Sequence, residues 1–301
     1  MSEPVIKKRS SILAALFSLL SPGMGHLYVG KWKLAVAIPF LLMLILAIIG
    51  WSGLIFMSYG MSLSLLLVVI GYFVVMVSAI IYARDVRSHQ LNASQRWYYY
   101  LAFLLAMTVI NSSLMGQRDR LFGFEPFRIP AASMLPTLLT NDFIIVDTSA
   151  YHAQPPQYGD LVVFDYPRDP EIKYIKRVIG KAGDHVAYTN KTLYINGKPL
   201  ARETLDDYAS PTVAKPLLHF HERIGEKHYQ VTHDSTRPAI DFEYVIPDNS
   251  YFVMGDNRDN SNDSRYWGTV PHDYLHGRAE YIWLSIDENG SIRSERIGQR
   301  L

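Results

Sequence analysis

The stretch Glu125–Leu138, EPFRIPAASMLPTL, is where the reading of this chain turns. Pro130 and Pro136 disfavour helix at their own and the preceding positions, so Ser133 between them is expected on an extended or tightly turned segment. A serine in such a turn is usually a solvated loop residue. What lies on either side of this one gives it more weight.

Upstream the chain is apolar. Between Ser10 and Ala83 the only Lys, Arg, Asp or Glu residues are Lys31 and Lys33. The first apolar run, Ile12–Leu20, follows Lys7, Lys8 and Arg9, but it lacks a small-residue exit and breaks at Pro22–Gly23. It is too short to span a bilayer, which takes about 20 apolar residues, and the chain is expected to retain it as an interfacial or re-entrant helix over Ser10–Tyr28. Three spans are expected after it: Leu34–Trp51, about Gly60–Ala83, and Trp97–Met115. Lys31, Lys33, Arg84, Arg87 and Arg96 fall on the same side as the amino-terminal cluster, whereas the loop Ser52–Tyr59 has no charge. Arg118 and Arg120 oppose this bias but are outnumbered. The asymmetry predicts a cytoplasmic amino terminus, with three spans delivering the rest of the chain to the outer side. The SPGMGHLYVGKWK segment (Ser21–Lys33) resembles the Pro-Gly-x-Gly-x-x-Tyr-x-Gly element of small two-helix membrane domains, and no function attaches to it.

Downstream the pattern changes to short β-branched and aromatic runs separated by Pro, Gly, Asp and Asn: FIIVD, LVVFDY, YIKRVIG, HVAYTN, TLYING, EYVIP, YFVMGD and AEYIWLS. No long stretch has helical periodicity. The expected fold is therefore an amino-terminal helical membrane region over 1–116 and a mostly-β extracytoplasmic domain over 117–301. Residues 201–243, more polar and interrupted by proline, read as an insertion on the β core. The 301-residue chain has a net charge of +1 and no basic stripe, which argues against a nucleic-acid partner. It has no cysteine, which excludes disulfides and thiolate metal sites. His219 and His221 would share a strand face, but with no third ligand they read as a surface pair.

A serine hydroxyl is a weak nucleophile without a base. Gly-x-Ser-x-Gly and Ser-x-x-Lys arrangements are both absent, since Pro136 stands third after Ser133. Lys176, in the apolar run KYIKRVIG, shares a strand face with Tyr174 and Val178. A lysine on a core face is driven toward its neutral form, and a neutral amine beside Ser133 would serve as general base; snorkelling at a sheet edge is the plainer alternative. The polar loop GDNRDNSNDSRYWG (Gly255–Gly268) offers a hydrogen-bonding frame, in which Ser261 would hold the Lys176 amine and Asp263 would pair with Arg265.

Taken together, IPAASMLPTL, YIKRVIGKAGD and GDNRDNSNDSRYWG resemble, in the same order, the three sequence boxes of the bacterial type I signal peptidases. These are membrane-anchored serine–lysine endopeptidases, and the likeness covers about Glu125–Ser285. It implies a β-barrel-like catalytic core with a smaller inserted β region, Ser133 as nucleophile and Lys176 as general base. Ser261 would orient the lysine, with Asp263 and Arg265 in support. Phe127, Ile129, Pro130, Leu138, Ile144, Tyr174 and Ile175 match positions that line the substrate pocket, though each would also pack in a β core. The implied substrates are signal peptides of exported preproteins, cleaved at the outer face of the cytoplasmic membrane with the secretion translocase as a neighbour, and no cofactor or metal is implied. Two departures stand out. Gram-negative members usually have Ser-Gly-Ser where this chain has Ala131-Ala132-Ser133, which leaves the Ser133 backbone N–H as the expected oxyanion donor. They also usually have one or two spans. A signal-sequence-binding relative without activity is the rival reading. A self-cleaving serine–lysine repressor would need a DNA-binding amino terminus, where apolar spans stand instead.

Overall fold

The structure is a computed structural model and describes residues 9–57, 60–85, 95–115, 117–209 and 216–301. Lys7, Lys8 and Arg87 of the charge pattern lie outside the described residues. The chain divides into two compact units, Met1–Gly123 and Phe124–Leu301.

The first unit is helical: α1 Ser11–Leu20, α2 Met24–Tyr28, α3 Trp32–Trp51, α4 Gly60–Arg84, α5 Trp97–Met115 and α6 Arg118–Phe122. The apolar run starts where Ser10 Oγ caps it by accepting from Leu13 N–H at 3.3 Å, and it stops at Leu20, ahead of Pro22–Gly23. It stays at ten residues, too short to cross, whereas α3, α4 and the α5 stretch Trp97–Leu114 are each long and apolar enough to span a membrane. The Ser21–Lys33 element folds the chain back tightly. A Cβ on Gly25 would stand 2.1 Å from Ser18 Oγ and 2.4 Å from Ala14 O, so the glycine lets α2 lie directly on α1. Tyr28 accepts from Ser10 N–H at 3.2 Å and carries the Arg9 guanidinium over its ring at 4.6 Å. That glycine and tyrosine are thus accounted for by packing.

The second unit is antiparallel β. A seven-stranded sheet takes the order β1-β2-β14-β3-β4-β12-β13, where β1 is Phe124–Arg128, β2 Asp142–Asp147, β3 Leu161–Tyr166, β4 Asp169–Lys181, β12 Ser250–Met254, β13 Val270–Pro271 and β14 Leu275–Ser285. A second sheet joins β5 His185–Thr189, β6 Thr192–Ile195, β7 Lys198–Pro199 and β11 Phe242–Val245. The region expected as an insertion carries a third, made of β8 Ala201–Thr204, β9 Leu218–Ile224 and β10 Lys227–His233. Its polar sequence hides an alternation: Phe220, Glu222 and Ile224 are buried along β9, as are Tyr229 and Val231 along β10.

Alternation on β4 distributes its side chains among three cores. Tyr174 packs against the cluster of Phe164, Val178 and Val253. Ile175 packs against Ile129, Met134, Leu138 and Ile144, and Ile179 joins Val186, Leu193 and Phe252. Lys176 occupies a position that this pattern would fill with an apolar residue.

Candidate functional site

The chain leaves β1 into a turn pinned at both ends. Ile129 N–H donates to Asp142 O at 2.8 Å and Asn141 N–H to Ile129 O at 2.9 Å, while Met134, Leu135 and Leu138 are fully buried. With its flanks seated in the core and both prolines opposing helix, Ser133 is held half-buried in a turn, as its neighbours predicted. Among the described residues its own N–H donates to no acceptor.

Lys176 is only 4% exposed, with Nζ 2.9 Å from Ser133 Oγ and 2.8 Å from Ile175 O. Burial pulls its pKa down from 10.5 to about 8, against the opposing pull of the Asp263 and Asp256 carboxylates and with a smaller downward push from Arg265. The amine is thus part-neutral near physiological pH.

Behind this pair lies the Gly255–Gly268 loop. Asp263 is fully buried; it accepts from Gly255 N–H at 2.9 Å and is gripped by Arg265, Nε to Oδ1 at 2.8 Å and Nη2 to Oδ2 at 2.9 Å. Arg265 also donates to Arg258 O. A Cβ at Gly255 would meet Ser133 O at 2.5 Å and Ser261 Oγ at 2.2 Å, so the loop closes on the Ser133 turn only because that residue is glycine. Two further buried ion pairs brace the loop. Arg177 grips Asp256, Nε to Oδ1 at 2.8 Å and Nη2 to Oδ2 at 2.6 Å, and Arg258 grips Glu222.

An open cleft of about 600 Å³ exposes the pair. Of the expected pocket residues, Ile129, Pro130, Tyr174 and Ile175 line it. Leu138 and Ile144 do not. Both are fully buried in the cluster that contains Ile129, and Phe127 packs against that cluster, so these three support the wall instead of facing a ligand. Ser261 differs from expectation as well. It lines the cleft, but among the described residues its buried Oγ has no hydrogen-bond partner, and the second contact of the Lys176 amine is the Ile175 carbonyl. A backbone carbonyl one residue away has no sequence signature. His219 and His221 each engage Gln230, at 3.2 and 3.3 Å.

The model of the family "Signal peptidase, peptidase S26" matches residues 94–284, more than half of the chain. The chain belongs to this family. It is 40% identical over 191 residues to a signal peptidase I of Pseudomonas aeruginosa, covering 55% of this chain and 66% of that protein. To a signal peptidase I of Buchnera aphidicola (subsp. Acyrthosiphon pisum) it is 30% identical over 277 residues, covering 73% and 88%. A crystal structure of a signal peptidase I from Enterococcus faecalis aligns with a TM-score of 0.28 and 27% identity, over 42% of this chain and 97% of the other. Ser133, Lys176 and the Gly255–Gly268 loop all fall inside the signal peptidase match, which starts close to α5 and leaves α1 to α4 outside it. Arg177, Glu222, Asp256 and Asn257 were not singled out in the sequence. The alternation on β4 points to Arg177 and the density of polar side chains in Gly255–Gly268 to Asp256 and Asn257, whereas no local signal marks Glu222.

Proposed function

We propose that this chain is a membrane-bound serine endopeptidase that removes amino-terminal signal peptides from exported preproteins. The observation that carries the reading is the buried Lys176 amine, 2.9 Å from the Ser133 hydroxyl on the wall of an open cleft. Neutral Nζ takes the proton from Oγ as Oγ adds to the scissile carbonyl, and the resulting ammonium returns it to the leaving amine. Water then attacks the acyl-enzyme with Lys176 again as base. The oxyanion of each tetrahedral intermediate accepts from the Ser133 N–H.

Substrate binding follows from the sheet. β12 pairs with β4 from Arg177 onward, so Ile172–Lys176 keeps a backbone edge along the cleft on which an extended peptide can lie. Ile129, Tyr174 and Ile175 form an apolar wall that favours small side chains, at ~1–3 kcal/mol for each methylene excluded.

Cleavage of a model preprotein with small residues at the first and third positions before the cut, by the purified full chain in detergent, tests this reading. Only the neutral amine is a base, so kcat is expected to rise about tenfold per pH unit below 8 and to level off above it. A rate independent of pH between 6 and 10, or no cleavage at any pH, would overturn it.

The orientation is part of the same proposal. Arg9, Lys31, Lys33, Arg84 and Arg96 mark the cytoplasmic side, and α3, α4 and α5 carry the β unit across. The absence of native cysteine makes this testable. Ser291→Cys, at an exposed position of the β unit, is expected to react with a membrane-impermeant maleimide in spheroplasts. Labelling only after lysis would refute the orientation.

A further inference from the structure

Three carbonyls of the nucleophile turn are tied to the second unit's interior. Ala132 O accepts from Asn257 Nδ2 at 3.0 Å and, at the longer distance of 3.3 Å, from Leu135 N–H; Ser133 O accepts from Asn257 N–H at 3.1 Å, and Leu135 O from Thr232 Oγ1 at 3.3 Å. Asn257 is 1% exposed and is itself clamped. Its carbonyl accepts from Asn260 N–H at 2.9 Å, and the preceding Asp256 is held through its carbonyl by Thr232 N–H at 2.9 Å and through its carboxylate by Arg177.

The Ala132–Ser133 peptide is planar and trans, so the carbonyl of Ala132 and the N–H of Ser133 point in opposite directions. Holding the carbonyl therefore sets the direction of the N–H, which faces away from Asn257 and has no acceptor among the described residues. Ala131 lines the cleft beside it and has no hydroxyl to act as a second donor.

We propose that Asn257 is the positioning residue of the oxyanion site: its side-chain amide holds the Ala132 carbonyl and thereby aims the Ser133 N–H at the scissile carbonyl oxygen. The assignment rests on the peptidase reading. Asn257 touches neither substrate nor Lys176, so its loss should act on the transition state and leave both substrate binding and the ionisation of the amine in place.

The test uses the full chain in detergent, with Asn257→Ala and the near-isosteric, uncharged Asn257→Leu, each alone and combined with Ala131→Ser. The probes are the model preprotein and a peptide aldehyde. Ser133 Oγ adds to the aldehyde carbon, and the former carbonyl oxygen becomes the oxyanion that mimics the intermediate. Expected are a fall in kcat of about 10²-fold, the scale of one lost oxyanion donor, with KM within about threefold and the pH midpoint unchanged. Aldehyde affinity should fall in parallel. Ala131→Ser should recover about tenfold or more in the Asn257→Ala background and change the wild type less, because only the variant lacks an aimed donor. Should Asn257→Ala fail to fold, Asn257→Leu carries the same measurements, since it keeps the shape, loses the donor and adds no charge.

Unchanged kcat, a fall in kcat with aldehyde affinity intact, or an equal effect of Ala131→Ser in both backgrounds would overturn the assignment. Absence of cleavage by the wild type would overturn the peptidase reading itself. Wild-type cleavage with undiminished Asn257 variants would overturn only the role of Asn257.

Discussion

Lys176→Met is expected to abolish cleavage while making the protein more stable at neutral pH. The loss in kcat should be on the order of 10⁶, the scale seen when one member of a nucleophile–base pair is removed, and the Ser133→Ala/Lys176→Met double variant should be no worse than either single one. The stability gain has a definite pH window. An amine whose pKa falls from 10.5 unfolded to about 8 folded opposes folding fully below 8; this cost shrinks between 8 and 10.5 and is gone above. At ~1.4 kcal/mol per pH unit that is about 3 kcal/mol, less whatever the lost contacts to Ser133 Oγ and Ile175 O contributed. Methionine is close to lysine in length and suits the apolar surroundings that β4 provides. Thermal unfolding of the full chain in detergent should show the variant melting about 5–10 °C higher at pH 7 and converging on the wild type near pH 10.5. A variant that melts lower at pH 7 would show that the buried amine is not a cost to the fold. Retained cleavage would remove Lys176 from the mechanism.

Asp256→Ala should do the opposite and destabilise strongly. Asp256 is 1% exposed and is the carboxylate partner of Arg177, itself 5% exposed; it also accepts from Thr137 Oγ1 at 2.5 Å. Removing it leaves a buried guanidinium with the Gly159 carbonyl, and at longer reach the Thr137 hydroxyl, as its remaining acceptors. Breaking a buried pair from one side typically costs ~3–5 kcal/mol, which for a unit of this size lowers the melting point by roughly 10–15 °C. Replacing both partners, as Arg177→Met/Asp256→Leu, should recover most of that stability, because no charge is then left unpaired. Cleavage should not return with it. Asp256 precedes Asn257 and its carboxylate ties Thr137, at the end of the Ser133 turn, to β4, so the turn loses its reference frame even when the core is repaired. A melting point within about 2 °C of wild type for Asp256→Ala would show that the pair is not the brace inferred here.

The two buried networks also explain why the sequence was easier to read for identity than for geometry. The division into an apolar helical half and an alternating β half is written in the chain, because hydropathy and period are local properties. Leu161–Tyr166 is a strand over the very residues whose pattern marked it, and α4 begins at Gly60 and α5 at Trp97, as their composition predicts. The broken helix at Pro22–Gly23 and the non-helical turn around Ser133 follow from proline chemistry alone. Ser133 and Lys176 stood out because one lies between prolines and the other interrupts an apolar alternation.

Burial, pairing and aim belong to the tertiary structure. Nothing local says that residues 43 apart bring Oγ and Nζ to 2.9 Å, or that the Ile175 carbonyl meets the amine where Ser261 was expected. Leu138 and Ile144 have the side chains of a pocket wall, and only packing places them behind it. Glu222 lies in a stretch that reads as a polar insertion and is nevertheless 2% exposed against Arg258. Asn257 is one of several polar residues in a loop until its amide is seen on the Ala132 carbonyl. Composition and spacing fix which chemical groups a chain carries. Which of them lose water, and which way each one points, is decided by long-range contacts that no single stretch contains.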